Sequence, residues 1–200
     1  MSKFVIICGG ECHADGIDRG IFDNSFVIAA DSGYDTAVTL GVKPHLLVGD
    51  MDSIKEVPDD VELYRVKAEK DDTDTMLAVR RGLSLGYRDF ILYGSLDGPR
   101  LDHTVANFQT LQFLCDHGAY GYLIGKDYMV TAVKDSAVRF PNCCTGIFSV
   151  FCMGKDAEGV TIEGAQYSLT DGTLSAGFPL GVSNHFTGYN STIEVTDGSL

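Results

Sequence analysis

Short apolar runs alternate with helix-like stretches over the first 125 residues of the chain. Several of the runs are continuously apolar, as strands covered on both faces of a sheet must be. The alternation is typical of a mostly parallel sheet wound with crossover helices. The predicted strands are 4–8, 26–30, 46–48, 61–66, 90–93 and 120–124, and the predicted helices are 35–40, 75–85 and 101–115.

The helix predicted over 101–115 carries an apolar stripe that we expect to face the core. The stripe consists of Leu101, Val105, Phe108, Leu111 and Cys115.

The pattern changes at about residue 126, where helical periodicity ends and glycine turns become frequent. Short alternating segments between closely spaced turns indicate an antiparallel sandwich. The sequence therefore predicts a wound α/β domain over 1–125, followed by a small all-β sandwich domain over 126–200. A β-domain of this size has a thin core of its own, so we expect it to associate as a homodimer.

Composition narrows the classes of partner. The chain has 200 residues with 28 acidic and 15 basic side chains, and its formal charge is −13. That charge argues against a nucleic-acid binder, which needs a basic face. No segment reaches bilayer length and no signal peptide is visible, so we expect no membrane partner. The six cysteines show no zinc or CxxC spacing, and we interpret them as reduced thiols of a cytoplasmic protein.

Glycines and acids follow the apolar runs at the points where the predicted strands end. Ligands of wound α/β sheets bind beyond these carboxyl ends, so the positions are the first candidates for a site. Asp50 and Asp52 are two residues apart, and their carboxylates point the same way if the chain is extended there. The candidates are Gly9, Gly10, Asp31, Ser32, Gly33, Asp50 and Asp52.

A second group of acids precedes the helix predicted over 75–85. Asp71, Asp72 and Asp74 exceed the one or two acids that a helix start favours, although Thr73 is a plausible cap. Two carboxylates about 4 Å apart repel by about 4 kcal/mol at an effective dielectric of about 20, so a cation must offset the cost. A set made of carboxylates suits Mg²⁺ bound together with substrate phosphates.

Polar side chains also open the helix predicted over 101–115. Arg100 offers a planar donor fork for a phosphate, with a surface ion pair as an equal alternative. His103 and Asn107 share a helix face at i and i+4, and Asp102 lies beside them. For His103, a capping or packing role and a role at the site are both open.

Taken in order, these motifs resemble the thiamine pyrophosphokinase family. The resemblance covers nearly the whole first half, and Gly181-Val-Ser183-Asn184 matches a family signature in the second half. In the first half it rests on Gly9-Gly10, Ala30-Asp-Ser-Gly33, Gly49-Asp-Met-Asp-Ser53, Lys70-Asp-Asp-Thr-Asp74 and Arg100-Leu-Asp-His-Thr-Val-Ala-Asn107.

The resemblance implies transfer of pyrophosphate from ATP to thiamine by a homodimer with composite active sites. It implies that Mg²⁺ is bound by Asp50, Asp52 and Asp74. The residues expected to act in catalysis are Asp74, Arg100 and Asp102, with Asp102 a weak candidate for accepting the hydroxyl proton. The residues expected to contact the nucleotide are Gly9, Gly10, Asp31, Ser32, Gly33, Arg100, His103 and Asn107. The residues expected to contact thiamine are Asp71, Asp72, Tyr167, Ser183 and Asn184.

The assignment of Tyr167 is the least direct. Some family members stack thiamine on a tryptophan, and this chain has none. Tyr167 is the candidate substitute, with a plain tyrosine of the sandwich core as an equal alternative.

Two other functions compete with the kinase. Asp50-Met-Asp52 looks like the DxD motif of metal-dependent phosphatases, but it follows the third strand and is continued by Ser53-Ile54. A non-catalytic protein that binds nucleotide or thiamine would keep the pocket without the chemistry. The intact set of acids argues against that alternative.

Overall fold

The computed structural model describes residues 3–13, 17–51, 54, 59–65 and 71–200. The chain divides into two compact units, Met1–Thr131 and Ala132–Leu200. The division follows Thr131, beyond the predicted boundary at 125, because the strand Met129–Thr131 pairs with the strand Tyr120–Ile124 and belongs to the first unit.

A mostly parallel sheet forms the centre of the first unit, which confirms the predicted fold class. Over the described residues it has seven strands in the order β4-β3-β2-β1-β5-β6-β7. Strands β1 to β6 run parallel to their neighbours, and β7 is antiparallel to β6. The strands are β1 Phe4–Ile7, β2 Phe26–Ala30, β3 Leu46–Gly49, β4 Glu62–Arg65, β5 Asp89–Tyr93, β6 Tyr120–Ile124 and β7 Met129–Thr131.

The strand order places the switch point of the sheet between β1 and β5. The chain builds the sheet outward from β1 through β2, β3 and β4, and then returns to β5 on the other side. Connections that leave two adjacent parallel strands in opposite directions leave space for a ligand at the carboxyl ends of those strands. We call the loops that follow β1, β2, β3, β5 and β6 the carboxyl edge.

Helices cover the sheet at the positions that the sequence predicts. They are α1 Gly33–Leu40, α2 Asp74–Ser84 and α3 Leu101–Asp116, and a short 3-10 helix, Arg19–Ile21, was not predicted. The predicted cap of α2 is confirmed, since the Thr73 hydroxyl accepts a hydrogen bond of 3.1 Å from the Met76 amide. α1 ends at Gly41, which adopts the left-handed conformation with φ 69°.

The predicted apolar stripe of α3 is wrong at its first positions. Leu101 is 75% exposed and Val105 is 49% exposed. The helix packs on β6 further along, where Leu111 and Leu114 lie against Gly121. Its buried residues are Asn107, Thr110, Leu111 and Leu114. The spacing of apolar residues predicts which face of the helix turns to the core. It does not predict the residue at which the sheet begins to cover that face.

The second unit is all-β, as predicted, and is built from antiparallel pairs. Its main sheet has the strand order β11-β10-β13-β8, and β9 pairs with β12 separately. Val160, Ile162 and Ile193 contribute to its core. The strands are β8 Ala137–Phe140, β9 Ile147–Phe148, β10 Ala157–Glu163, β11 Leu169–Leu174, β12 Asn184–His185 and β13 Ser191–Glu194.

Candidate active site

The loops that follow β1 and β5 are hydrogen-bonded to each other at the switch point. The Gly10 amide donates to the Gly94 carbonyl at 3.0 Å, and the Glu11 amide donates to the Asp97 carbonyl at 2.8 Å. A Cβ built on Gly10 would lie 2.5 Å from both carbonyl oxygens, so no other residue fits there without a shift of backbone. Gly9 is exposed beside this contact.

The start of α1 packs against the end of β1. A Cβ on Gly33 would lie 2.0 Å from the Ile7 carbonyl oxygen, so this glycine is required by backbone packing. Ser32 precedes the helix, and its hydroxyl donates to the Gly9 carbonyl at 3.4 Å. Asp31 adopts a positive φ of 53°, and its amide donates to the Val48 carbonyl at 2.8 Å. These contacts bring the predicted residues of the first two loops together.

The segments that carry Asp31, Asp50 and Asp74 meet at Gly49, the last residue of β3. A Cβ built on Gly49 would lie 3.4 Å from Asp74 Oδ1 and 3.3 Å from Asp31 Cα. Asp50 is the next residue, and Asp31, Asp50 and Asp74 are all half-buried. The loop after β2, the end of β3 and the start of α2 therefore meet at one corner of the carboxyl edge.

The predicted metal set is only partly described. Asp52 lies outside the described residues, as do Ser53 and Lys70. Within the described ranges, no group of three His, Cys, Asp or Glu side chains is arranged to hold a metal ion. The chemistry of the residues present fits a hard cation, because the Asp74 carboxylate lies at the end of β3 beside Asp50 and oxygen is the ligand that Mg²⁺ prefers.

The remaining acids of the 70–74 segment have different environments. Asp72 forms an ion pair with Arg80, with 2.9 Å between Asp72 Oδ2 and Arg80 Nε. Asp71 is exposed. The structure therefore does not bring Asp71 or Asp72 to the corner formed by Gly49 and Asp74 through any described contact.

Arg100 and Asp102 form a two-bond ion pair at the start of α3. Arg100 Nε donates to Asp102 Oδ1 at 2.9 Å, and Arg100 Nη2 donates to Asp102 Oδ2 at 2.6 Å. The Arg100 guanidinium lowers the pKa of the Asp102 carboxyl to about 2 through these hydrogen bonds. Both side chains are exposed, and so is His103. At neutral pH Asp102 is an ionised carboxylate and a weak base.

Asn107 supports the loop that carries Arg100. It is buried, and its Nδ2 donates to the Ser95 carbonyl at 2.7 Å. Thr104 adds a hydrogen bond from its hydroxyl to the Leu96 carbonyl at 3.3 Å. The side-chain amide of Asn107 is thus engaged in positioning the loop after β5, and its predicted contact with a nucleotide stays a prediction.

The predicted residues of the second unit are joined by a side-chain clamp. Asn184 Nδ2 donates to the Tyr167 carbonyl at 2.6 Å, and its Oδ1 accepts from the Tyr167 amide at 3.0 Å. Tyr167 is 61% exposed, so it is not a tyrosine of the sandwich core. Ser183 has a positive φ of 62°, and its amide donates to the Ser149 hydroxyl at 3.1 Å.

The second unit also exposes a group of apolar side chains. Phe178 borders a cavity of about 180 Å³ whose lining includes Val150 and Leu174. The exposed apolar residues of this unit are Ile147, Phe151, Tyr167, Phe178, Leu180, Val182 and Tyr189. Exposed apolar side chains are typical of a binding surface where they form a contiguous patch.

Sequence reasoning missed Asp97 as a member of the carboxyl edge. Its carboxylate accepts hydrogen bonds from the Tyr128 hydroxyl at 2.8 Å and from the Lys126 amide at 3.1 Å. The available signal was its place in the loop that follows the fifth apolar run. Met51, which stands between Asp50 and Asp52 in the motif, is buried in a cluster with Leu47 and Val61 and has a φ of 70°.

None of the helices in the described ranges has the length and apolar character needed to cross a bilayer.

Two family models match the chain. Residues 18–119 match the model described as the catalytic domain of thiamin pyrophosphokinase. Residues 137–200 match the model described as the vitamin B1 binding domain of thiamin pyrophosphokinase. No curated protein matches the chain.

Solved structures share the fold over nearly the full length of the chain. The thiamine pyrophosphokinase of Bacillus subtilis is 22% identical, with a TM-score of 0.88, and the match covers 99% of this chain and 96% of that chain. The enzyme of Geobacillus thermodenitrificans is 21% identical, with a TM-score of 0.83 and coverages of 98% and 94%. The enzyme of Candida albicans is 14% identical, with a TM-score of 0.81 and coverages of 99% and 87%. At these identities the likeness shows the fold alone.

Proposed function

The chain belongs to the thiamin pyrophosphokinase family and is a thiamine diphosphokinase, and we propose that its carboxyl edge binds ATP together with Mg²⁺. The observation that carries this proposal is that the segments bearing Asp31, Asp50 and Asp74 meet at Gly49, at the same carboxyl edge that holds the switch point of the parallel sheet. Ligands of wound sheets bind at such a point.

The reaction is attack by the primary hydroxyl of thiamine on the β-phosphorus of ATP. A bond forms between the thiamine oxygen and the β-phosphorus, the bond from that phosphorus to the oxygen of the α-phosphate breaks, and AMP leaves with the bridging oxygen. The hydroxyl proton is released. Transfers of this kind require mainly positioning and neutralisation of charge.

Asp50, Asp52 and Asp74 are the proposed Mg²⁺ ligands. The ion, when bound, neutralises phosphate charge and polarises the group in transfer. Half-burial of Asp50 and Asp74 supports this role, because a partly buried carboxylate attracts a cation more strongly than one in bulk water. Asp74 also stands at the first turn of α2, where the helix dipole favours a negative charge.

The nucleotide is proposed to lie along the loops after β1, β2 and β5. Gly9, Gly10, Asp31, Ser32, Gly33, Arg100, His103 and Asn107 are the proposed contacts. Arg100 is exposed, and its Nη1 group, which is not used in the two bonds to Asp102, can donate to a phosphate. We propose that Asp102 orients this fork and does not act as the base, because a carboxyl with a pKa of about 2 accepts protons poorly at neutral pH.

Thiamine is proposed to bind through Asp71, Asp72, Tyr167, Ser183 and Asn184. The exposure of the Tyr167 ring and the hold of Asn184 on its backbone support a stacking role for the ring. The charge of −13 favours a cationic thiazolium over an anionic acceptor, although net charge gives only a modest bias.

A homodimer with composite active sites is also part of the proposal. The exposed apolar residues of the second unit supply a surface that a second copy of the chain would cover. We propose a cytoplasmic location, consistent with six cysteines that are all free thiols.

One incubation tests the function. Purified protein with ATP, Mg²⁺ and thiamine should produce thiamine diphosphate and AMP in equal amounts. AMP release that does not need thiamine, or release of inorganic phosphate through a trapped phospho-aspartate, would support the DxD phosphatase. Binding of ATP and thiamine without any product would support the non-catalytic alternative.

A further inference from the structure

Asp97 joins three loops of the carboxyl edge. Its backbone carbonyl accepts the Glu11 amide at 2.8 Å, which ties the loop after β5 to the loop after β1. Its carboxylate accepts the Tyr128 hydroxyl at 2.8 Å and the Lys126 amide at 3.1 Å, which ties the same loop to the one after β6. One residue therefore connects β5 to the loops of both its neighbours in the sheet.

The carboxylate of Asp97 occupies a closely fitted position. A Cβ built on Gly125 would lie 3.2 Å from Asp97 Oδ2 and 2.9 Å from Tyr128 Cζ, so the turn between β6 and β7 leaves no spare room. The Asp97 side chain is 22% exposed, and His13 Nε2 lies 4.0 Å from its Oδ2. Each carboxylate oxygen thus has a donor within hydrogen-bond distance, and a third polar group lies nearby.

The position of this carboxylate matters because cationic residues lie on both loops that it joins. Arg100 is three residues after Asp97 on the same loop, and Lys126 carries the amide that Asp97 holds. Asn107 and Thr104 anchor the first part of the Arg100 loop from α3. The Asp97 carboxylate anchors the part that faces β6.

We propose that Asp97 is a positioning residue for the nucleotide: its carboxylate fixes the loops that carry Arg100 and Lys126 at the separation that a polyphosphate requires. This inference rests on the proposed binding of ATP at the carboxyl edge. The hydrogen bonds from Tyr128 and Lys126 also compensate the negative charge of Asp97, which would otherwise oppose phosphate binding.

Substitution of Tyr128 by phenylalanine is the sharpest test. Tyr128 is 52% exposed, so removal of its hydroxyl changes one hydrogen bond with little loss of packing. Tyr120 is the matched control, because it is 53% exposed on the adjacent strand and its hydroxyl has no hydrogen bond recorded among the described residues. Asp97→Ala is the stronger variant, since it removes both side-chain bonds.

The measurements are the affinity for Mg-ATP by calorimetry without thiamine, and the KM values of both substrates. We expect Tyr128→Phe to weaken ATP binding about fivefold and Asp97→Ala to weaken it about tenfold or more. The KM for thiamine should stay within about twofold of that of the unmodified protein, and Tyr120→Phe should change neither value.

Three outcomes would overturn the inference. The first is an unchanged ATP affinity in Tyr128→Phe. The second is an equal rise, in either variant, of the KM for ATP and the KM for thiamine. The third is a lower melting temperature of Asp97→Ala with normal ATP binding. If Asp97→Ala does not fold, the ATP affinity of Tyr128→Phe tests the inference by itself. The calorimetric comparison needs no turnover, so failure to form thiamine diphosphate would count against the proposed function and leave the result on Asp97 intact.

Discussion

Replacement of Asn184 by alanine removes the clamp that holds the Tyr167 backbone. The Asn184 side chain makes three hydrogen bonds: to the Tyr167 carbonyl at 2.6 Å, from the Tyr167 amide at 3.0 Å and from the His185 amide at 2.9 Å. Asn184 is only 5% exposed, so water does not reach these groups freely. Each buried polar group left unpaired costs about 1–3 kcal/mol.

The expected loss of unfolding free energy is about 2–4 kcal/mol, because Tyr167 is itself exposed and part of the clamp regains water. Urea unfolding of the full chain, followed by circular dichroism, gives the value from the shift of the midpoint at constant slope. Asn190→Ala is the matched control: Asn190 is exposed, and its Oδ1 accepts one bond from the Asn142 amide at 2.9 Å. A loss for Asn184→Ala that is no larger than the loss for Asn190→Ala would refute the reasoning.

Three further changes test the candidate site. Asp74→Asn should leave the fold intact by circular dichroism and lower Mg-dependent AMP formation about a hundredfold or more, since it removes the charge of a proposed metal ligand; retained turnover would exclude Asp74 from the proposed metal site. Tyr167→Ala should raise the KM for thiamine more than the KM for ATP, with the more exposed Tyr189→Ala as a control, and equal changes would show that the ring does not touch the acceptor. Arg100→Gln should raise the pKa of Asp102 from about 2 toward the ordinary 3.8 in an NMR titration. Because the folded pKa is lowered, the stabilisation by Arg100 is present above the ordinary pKa and is lost as the pH falls through about 2, so an Asp102 pKa that did not change would contradict the ion pair.

The parallel sheet was predictable because its central strands are covered on both faces. β1 and β2 are buried almost throughout, so each is a continuous apolar run. Such a run can be recognised as a strand without knowing which strand it pairs with. The first turn of α3 shows the limit of this reasoning. Leu101 and Val105 have the right spacing for a core face, but exposure depends on where β6 ends, which is a property of the whole sheet.

The candidate site was predictable in its location but not in its pairings. Positions after apolar runs identified the loops, because carboxyl ends of parallel strands share one edge. The bond between Asp97 and Tyr128 joins residues 31 apart, and the clamp between Asn184 and Tyr167 joins residues 17 apart. Neither of these sequence separations follows from a helix or strand periodicity, because each pairing depends on how loops from different strands meet.

The strand order also constrains what the carboxyl edge can bind. Asp50 directly follows β3 and Asp74 lies beside the end of that strand, whereas Arg100 lies on the loop after β5, and β2 and β1 lie between these strands. Three strand spacings of about 4.8 Å separate the strand ends by about 14 Å. A single phosphate group is too small to contact both ends at once, so a phosphomonoester would use only one of them. A polyphosphate joined to a nucleoside can extend across β1 and engage the acids through a cation while Arg100 binds at the other end. The arrangement of charges therefore favours a nucleoside triphosphate over the substrate of a DxD phosphatase.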